Sequence, residues 1–382
     1  MHKIDCKTVE HFAILAIFVL AFFSCSQKRG EQEENLPSTQ IKISYAKGFE
    51  IDRFKDYKRV TIKNPWKSDA IQQILYLVDN KEINTPQDGL KIVVPVNKIA
   101  TGSTTYYGFL ELLGKINSVK GICSANIVYN QTISKNFRDG HISDLGDAFN
   151  PNIERIMILQ PQIFMLPSYN HQDETVKRLV NTGVSVVYNN EWTENSLLGR
   201  AEWLKFVAVF FNMENQADSI FTQIEKNYFQ AKKLTENVKV KPTIMAGGNF
   251  KGTWYMPGGQ SYMGQLFNDA GSDYLYKNDS TTTSLSLSYE TVLQNFHGSQ
   301  IWLNAPVNTL KKLFAMDERN KLFEAAQKGS VFAFTAAQHP DGANDFWENG
   351  VANPDKILMD VIWALHPTLL PDYHPVYIEN LK

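Results

Sequence analysis

The sequence lacks a charge excess and the best-known catalytic motifs. Its 382 residues include 38 Lys and Arg against 40 Asp and Glu, which leaves a formal net charge of -2. Nucleic-acid binding normally shows as a basic excess, so we predict no nucleic-acid partner. Neither the phosphate-binding G-x-x-x-x-G-K-[ST] pattern nor the G-x-S-x-G nucleophile pattern occurs. We predict that Ser261 in "MPGGQSYMG" is a helix N-cap rather than a nucleophile.

The first residues read as a targeting segment. A polar start with Lys3 and Lys7 precedes an apolar run from Phe12 to Phe23, which is short for a membrane-spanning helix. The following "AFFSC" resembles a bacterial lipobox, with Cys25 as the lipidated residue. We therefore predict a signal peptide over residues 1–24 and a lipidated Cys25 that begins a flexible tether over residues 25–40. The alternative is an uncleaved signal anchor.

Cysteine is scarce, with three in the chain. Cys6 lies in the predicted signal peptide and Cys25 is the predicted lipidation site, so Cys123 is the one free cysteine expected in the mature protein. One thiol cannot form an internal disulfide or provide zinc-ligand spacing. We predict that Cys123 is a small buried apolar residue. The mature chain's histidines are scattered through loops and helix ends, and we predict no metal site.

The remaining chain predicts an α/β protein with two doubly wound lobes bridged by one long α-helix. From Ile41 to Tyr76, period-2 patterning predicts antiparallel strands in a strand-rich N-terminal extension. Beyond it, "LKIVVPV" is a continuous apolar strand of the type buried on both faces of a parallel sheet, and further apolar strands alternate with helical segments. We predict an N-terminal lobe over residues 41–212, an interlobe helix over 213–238 and a C-terminal lobe over 239–382. The helix places Ala217, Ile220, Phe221, Ile224 and Tyr228 on one apolar stripe.

Two stretches in the first half of the sequence have similar counterparts in the second half. "TTYYGFLELLG" matches "QSYMGQLFNDAG", and "IERIMILQPQIFML" matches "YETVLQNFHGSQIWL". The second pair places Glu154 and Glu290 at the same point of an apolar helix. A carboxylate at a helix start is favourable by itself, so the pair also has a purely structural interpretation.

Loops that follow predicted strands are rich in aromatic residues. Ligands of open α/β sheets bind beyond the carboxyl ends of the strands, where such loops gather. Jointly these side chains could line a cleft for a large, partly apolar ligand, although each alone could anchor its own loop. The predicted ligand-binding residues are Tyr106, Tyr107, Tyr169, Trp192, Trp254, Tyr255, Phe346 and Trp347.

Taken together, the chain from about Leu90 resembles the substrate-binding lipoproteins of ABC importers that handle vitamin B12, ferric siderophores and haem. The resemblance is carried by "NIERIMILQPQIFML", "GRAEWLKFVAVFF", "GTWYMPGGQSYMGQLFNDAGSDYLY", "SLSYETVL" and "NDFWENGVANPDKILMDVIWALHP". It implies two lobes joined by a single long helix, with the cargo held between them and no catalytic cofactor. It also implies an exposed glutamate on each lobe that pairs with arginines of the membrane permease, and Glu154 and Glu290 match those positions.

The resemblance implies a monomer tethered by its lipid to a membrane of the bacterial envelope, on the periplasmic side. Its cargo would be a cobalt corrinoid, haem or a ferric chelate. The scarcity of Arg in the predicted cleft loops favours a corrinoid, haem or neutral chelate over a highly anionic ferric catecholate. A haem ligand from His339 or a tyrosine is a further hypothesis. Departures from better-known members are the extension before Leu90 and the stretch "YNQTISKNFRDGHISDLGDAFNP".

Two other functions remain open from the sequence. A lipid-anchored envelope enzyme, such as a chelatase or hydrolase on a similar scaffold, would need converging His and carboxylate groups in the cleft. A carbohydrate-binding lipoprotein would suit the aromatic loops, but the alternation of strands and helices counts against it.

Overall fold

The computed structural model describes residues 39–169 and 174–382. The predicted signal peptide, Cys25 with its predicted lipid and all but the end of the predicted tether lie outside these residues. The last two residues of the predicted tether, Thr39 and Gln40, form a strand paired with a neighbour. Among the described residues, none of the helices has the length and apolar character needed to cross a bilayer.

The strands fall into an N-terminal and a C-terminal set. The first set is β1 Thr39–Gln40, β2 Phe49–Arg53, β3 Tyr57–Lys63, β4 Ile71–Val78, β5 Leu90–Val93, β6 Ile99–Thr101, β7 Val119–Ile122, β8 Ser143–Asp144, β9 Gly146–Asp147, β10 Asn150–Pro151, β11 Ile163–Leu166 and β12 Val186–Tyr188. The second set is β13 Thr243–Ala246, β14 Asn249–Phe250, β15 Thr253–Pro257, β16 Asp273–Tyr274, β17 Ser284–Leu287, β18 Ile301–Leu303, β19 Phe332–Ala333 and β20 Glu379–Asn380.

The α-helices connect and cover these strands. They are α1 Tyr106–Leu112, α2 Gln131–Arg138, α3 Ile153–Leu159, α4 Glu174–Asn181, α5 Leu197–Ala208, α6 Glu214–Lys233, α7 Tyr262–Asp269, α8 Tyr289–Phe296, α9 Leu310–Met316, α10 Glu324–Gln327, α11 Asn349–Ala352 and α12 Pro354–Leu365.

The strand-rich extension is a five-stranded sheet in the order β1-β2-β3-β4-β5. Strands β1 to β4 are antiparallel, as predicted for β2 to β4, and β5 pairs with β4 in parallel. The prediction that "LKIVVPV" is a strand buried on both faces is wrong. Leu90–Val93 is an edge strand of the extension, and its alternate residues Lys91 and Val93 are exposed. An apolar run cannot by itself distinguish an edge position from a central one.

The N-terminal lobe is built on a parallel sheet in the order β12-β11-β6-β7-β8. Both faces of strand β11 are buried. Phe164 and Leu166 face a small cluster under α3 and α4, whereas Ile163 and Met165 face the main core. Cys123 is buried in the small cluster, as predicted, and burial raises the pKa of its thiol to about 12.

The C-terminal lobe has a smaller parallel sheet in the order β16-β13-β18, with an antiparallel sheet β14-β15-β17 beside it. Trp254, Trp302 and Phe323 form its aromatic centre, with ring centroids 5.3 to 5.7 Å apart. The architecture is the α/β fold that the sequence predicts.

Helices α5 and α6 connect the lobes. All twelve residues of α5 are buried, and α6, twenty residues long, packs against both α5 and α12. The predicted stripe faces inward, with Ala217, Phe221, Ile224 and Tyr228 buried. One continuous apolar cluster therefore includes residues of the extension, both lobes and these helices.

A buried carboxylate also joins the lobes. Glu348, which is fully buried, accepts hydrogen bonds from the backbone N–H groups of Tyr129 and Asn130 at 2.6 and 2.8 Å. Asn130 in turn donates to Glu111 at 2.9 Å. Burial raises the pKa of Glu348 to about 8, and the two N–H donors oppose that rise.

The extension depends on a second buried carboxylate, Glu202 of α5, which accepts the backbone N–H groups of Ser44, Tyr45 and Ala46. We expect Glu202→Ala to lower the free energy of unfolding by about 3 kcal/mol, because three backbone donors lose their acceptor and the buried Lys205 loses one of its two carboxylate partners. Urea unfolding measures this, with the exposed Glu236→Ala as control. Equal stability of the two variants would contradict the prediction.

Glu348 should make stability depend on pH. Because its folded pKa is raised from the ordinary 4.5 to about 8, its stabilising contribution is complete below about pH 4.5 and is lost as the pH rises through about 8. The difference in unfolding free energy between the natural protein and Glu348→Gln should therefore fall over that range, by at most about 1.4 kcal/mol per pH unit. If the unfolding free energies of the two proteins changed in parallel with pH, the prediction would be wrong.

Candidate functional site

A cleft lies between the lobes, at the carboxyl ends of their strands. The loop after β12 contributes residues 192–195, the loop after β13 contributes Gly247 and Gly248, and the loop after β18 contributes Asn304 and Pro306. The cavity measures about 660 Å³. This is within the range of about 300–1,000 Å³ that small-molecule sites occupy, at the position where open α/β sheets bind ligands.

One wall of the cleft carries a row of aromatic rings. Trp192 and Trp66 line the cavity with ring centroids 6.4 Å apart, and they are 40% and 36% exposed. Tyr169 lies 5.9 Å from Trp192, and Phe149 stacks on Tyr169 at 5.3 Å. This aromatic row therefore continues from the cavity onto the surface of the N-terminal lobe.

The opposite wall comes from the C-terminal lobe and combines apolar surface with hydroxyl groups. Tyr255 is 46% exposed. Gly247 has a φ of 73°, and a side chain there would meet the carbonyl oxygen of Tyr255 at 2.5 Å, so a glycine is required. The other lining residues of this wall are Gly248, Pro257, Ser261, Tyr262, Met263, Thr282, Thr283, Ser284, Asn304 and Pro306.

Contacts between the lobes bound the cleft near α5 and α7. Arg200 forms a buried ion pair with Glu191 at 2.8 Å, and its guanidinium lies 4.9 Å from the ring centroid of Tyr262. Gln265 donates a hydrogen bond to the carbonyl of Asn195 at 2.8 Å. The charge of Arg200 is therefore already balanced by Glu191.

Among the described residues that line the cavity, Glu194 is the one charged side chain. It is buried and accepts hydrogen bonds from Trp203 Nε1 and from the backbone N–H groups of Lys47 and Gly48. Burial raises the pKa of its carboxyl. The lining thus offers aromatic, hydroxyl and amide groups, with its acidic side chain already bonded.

The structure brings together some of the sequence-predicted aromatic residues and separates others. Trp192 and Tyr255 line the cleft, and Tyr169 borders it through Trp192. Trp347 is 46% exposed but does not line this cavity. Four others are core residues: Tyr106, Tyr107, Trp254 and Phe346, each at most 5% exposed.

Polar groups inside the core explain several of these positions. Tyr106 donates to the carbonyl of Asn189, Tyr107 shares a hydrogen bond with Thr101, and Trp254 donates to the carbonyl of Ala246. An aromatic residue after a strand can fold back onto its own lobe, and the sequence does not reveal that direction.

Sequence reasoning missed Trp66 and Tyr262. Trp66 stands in the "NPW" turn of the extension, far along the chain from the other cleft residues. Tyr262 stands in the quoted "QSYMG", directly after Ser261, which caps α7 as predicted. The sequence signal for Tyr262 was its position as an aromatic residue directly after a predicted helix N-cap.

A second cavity, of about 690 Å³, lies between the β2–β3 turn and the start of α6. It shares no lining residue with the cleft and is rich in charged side chains, several of them paired, such as Lys58 with Glu214 at 2.6 Å. It lies at the extension and not at the carboxyl ends of the parallel strands of the two lobes, so we do not take it as the principal site.

Glu154 and Glu290 occupy equivalent positions on the two lobes. Each is exposed, and each stands two residues after a helix N-cap, Asn152 or Ser288, whose side chain accepts a backbone N–H. Glu290 contacts Arg319 at 3.3 Å. The pKa of the Glu290 carboxyl is lowered, chiefly because it accepts a hydrogen bond from its own backbone N–H.

No group of three or more His, Cys, Asp or Glu residues with metal-site geometry occurs in residues 39–169 and 174–382. His339 lies against Tyr129, with ring centroids 4.4 Å apart, and does not line the cleft.

Comparisons with known proteins agree with this architecture. The sequence profile described as "Periplasmic binding protein" matches residues 99–337. An uncharacterised lipoprotein of Methanocaldococcus jannaschii is 27% identical over 362 residues, which cover 87% of this chain and 84% of that protein.

Solved structures share the fold. The haem-binding periplasmic protein RhuT from Roseiflexus sp. RS-1 superposes with a TM-score of 0.53 at 14% identity, over 72% of this chain and 99% of the other. The triscatecholate siderophore binding protein FeuA from Bacillus subtilis does so with a TM-score of 0.53 at 14% identity, over 74% and 98%.

The family and these structural neighbours are binding proteins rather than enzymes. Because the family profile matches more than half of the sequence, and the fold agrees, the chain belongs to the periplasmic binding protein family.

Proposed function

We propose that this protein captures one metal chelate in the interlobe cleft and delivers it to the permease of an ABC importer. The observation that carries the proposal is the cavity of about 660 Å³ between two lobes, at the carboxyl ends of both sheets. Helix α6 packs against elements of both lobes, so we expect closure around the cargo to be limited in extent.

The cargo is best matched by a chelate with little net charge. The described lining presents Trp66, Trp192, Tyr255 and Tyr262 beside hydroxyl and amide groups, and the nearby Arg200 is paired with Glu191. A highly anionic ferric catecholate would require several cations at close range. Haem or a cobalt corrinoid therefore fits the cleft better than a ferric catecholate.

The lipid anchor is part of the same proposal. Cys25 would be lipidated and hold the protein at a membrane of the cell envelope, as a monomer. The lipoprotein among the relatives supports this, because its alignment covers 87% of this chain.

Delivery would use the paired glutamates. One exposed carboxylate on each lobe, at the same position of α3 and of α8, offers two separated points for arginines of a permease. Two such points determine the docking orientation and accelerate encounter, while each adds little affinity when exposed.

Cargo binding is tested by titrating the protein with haemin, cobalamin and a ferric catecholate, following ligand absorbance. We expect one molecule of haemin or cobalamin to bind, and the ferric catecholate to bind at least about tenfold more weakly. Trp192→Ala should weaken binding about tenfold, since a stacked indole contributes about 1.4 kcal/mol.

The matched control for that variant is Phe229→Ala on α6, since Phe229 is 41% exposed, like Trp192, but does not line the cleft. Absence of binding across the panel would refute the cargo assignment. Preference for the ferric catecholate would refute the argument from charge.

Docking is tested by uptake of the bound cargo into cells that carry Glu154→Ala, Glu290→Ala or both as their only copy. We expect each single variant to slow uptake and the double variant to reduce it by at least about tenfold, with cargo binding unchanged. Glu174→Ala is the control, because Glu174 is also an exposed first-turn glutamate. Normal uptake by the double variant would exclude this role.

A further inference from the structure

The N-terminal extension is held against the very loop that lines the cleft. Glu194, in that loop, accepts the backbone N–H groups of Lys47 and Gly48. Gln73 of β4 donates to the carbonyl of Val186 at 2.7 Å and accepts the N–H of Tyr188 at 3.1 Å. These contacts make the extension part of the N-terminal lobe rather than a separate module.

Further bonds continue this attachment towards the cleft. Asn190 donates to Gln72 at 2.7 Å and accepts hydrogen bonds from the backbone N–H and hydroxyl of Ser168. The β4 strand of the extension and the loops after β11 and β12 are thereby joined in one hydrogen-bonded group.

The turn between β3 and β4 places Trp66 at the cavity. Asn64 accepts the backbone N–H groups of Trp66 and Lys67 at 2.9 and 3.0 Å, and its own N–H donates to the carbonyl of Ala70. The turn is therefore held in one shape by its own hydrogen bonds. Pro65 and Trp66 both line the cavity.

The two indoles form an angled pair. The ring planes of Trp66 and Trp192 are inclined by 51°, and both side chains remain more than a third exposed although their centroids are 6.4 Å apart. A flat ligand can stack on one indole and meet the edge of the other, an arrangement that aromatic pairs favour.

The N-terminal extension, which carries Trp66, is an addition to the family's fold. The family profile begins at residue 99, and FeuA and RhuT align over nearly their whole length with about three quarters of this chain. The archaeal lipoprotein, in contrast, aligns with 87% of the chain, so its alignment must include part of the residues before 99.

We propose that the extension, residues 39–93, is a fixed third wall of the cargo cleft, and that Trp66 contacts the cargo directly. Together with Trp192 it selects a chelate with a broad flat face, which is the chemistry of a tetrapyrrole macrocycle. The inference rests on the proposed function and adds to it the third wall and the residue of that wall that contacts the cargo.

The test compares Trp66→Ala and Trp66→Phe in the full chain, with haemin and cobalamin as separate probes followed by their own absorbance. We expect Trp66→Ala to raise the Kd for the bound tetrapyrrole about tenfold, chiefly through faster dissociation, and Trp66→Phe to recover much of the loss. Phe229→Ala should bind like the natural protein. The free energy of unfolding, measured in urea, should be nearly unchanged in Trp66→Ala, because the side chain lies at an exposed turn.

The outcomes separate the two proposals. If the natural protein binds haemin or cobalamin and Trp66→Ala binds equally well, the third wall is wrong while the proposed function stands. If the natural protein binds none of the probes, the proposed function fails. Equal loss of affinity for a ferric catecholate and for the tetrapyrroles in Trp66→Ala would overturn the assignment of ligand class.

Discussion

The structure depends on burying helix α5 completely, including its charged residues. A carboxylate inside a core is costly unless its oxygens are hydrogen-bonded. Glu202 meets that requirement by accepting three successive backbone N–H groups at the start of the extension, and Lys205 pairs with it at 3.3 Å. The same interaction that makes α5 stable therefore attaches the extension. Helix α6 also packs on α5 and reaches α12.

Buried carboxylates that accept backbone N–H groups recur at other junctions of the molecule. Glu194 joins the extension to the cleft loop, and Glu348 joins α11 to the loop before α2. Asp360 does the same for the C-terminal segment, where it accepts the N–H groups of Tyr377 and Ile378. Such bonds are directional, unlike apolar contacts, so they determine how neighbouring segments are placed against one another.

The cleft follows from this framework. Its walls are loops at strand ends, and the strands are positioned by cores that sequence patterning encodes well. Trp192 was predictable because it follows an apolar strand. Tyr255 lies within β15, where side chains alternate between the two faces, so that Tyr255 is exposed and its neighbour Trp254 is buried. Tyr106 and Phe346 also follow predicted strands and are nevertheless buried, because the direction of such a side chain depends on packing partners distant in the sequence.

By itself the sequence determined the α/β class, the antiparallel extension, the long helix with its apolar stripe and the paired positions of Glu154 and Glu290. These depend on local periodicity, capping and short-range patterns, which adjacent residues specify. Tertiary structure alone decided that Leu90–Val93 joins the extension as an edge strand and that Trp66 reaches the cleft. The first outcome depends on the pairing of Leu90–Val93 with β4, which an apolar run does not reveal. The second depends on contacts between segments more than a hundred residues apart, such as Gln73 with Tyr188, whose energies a local pattern does not carry.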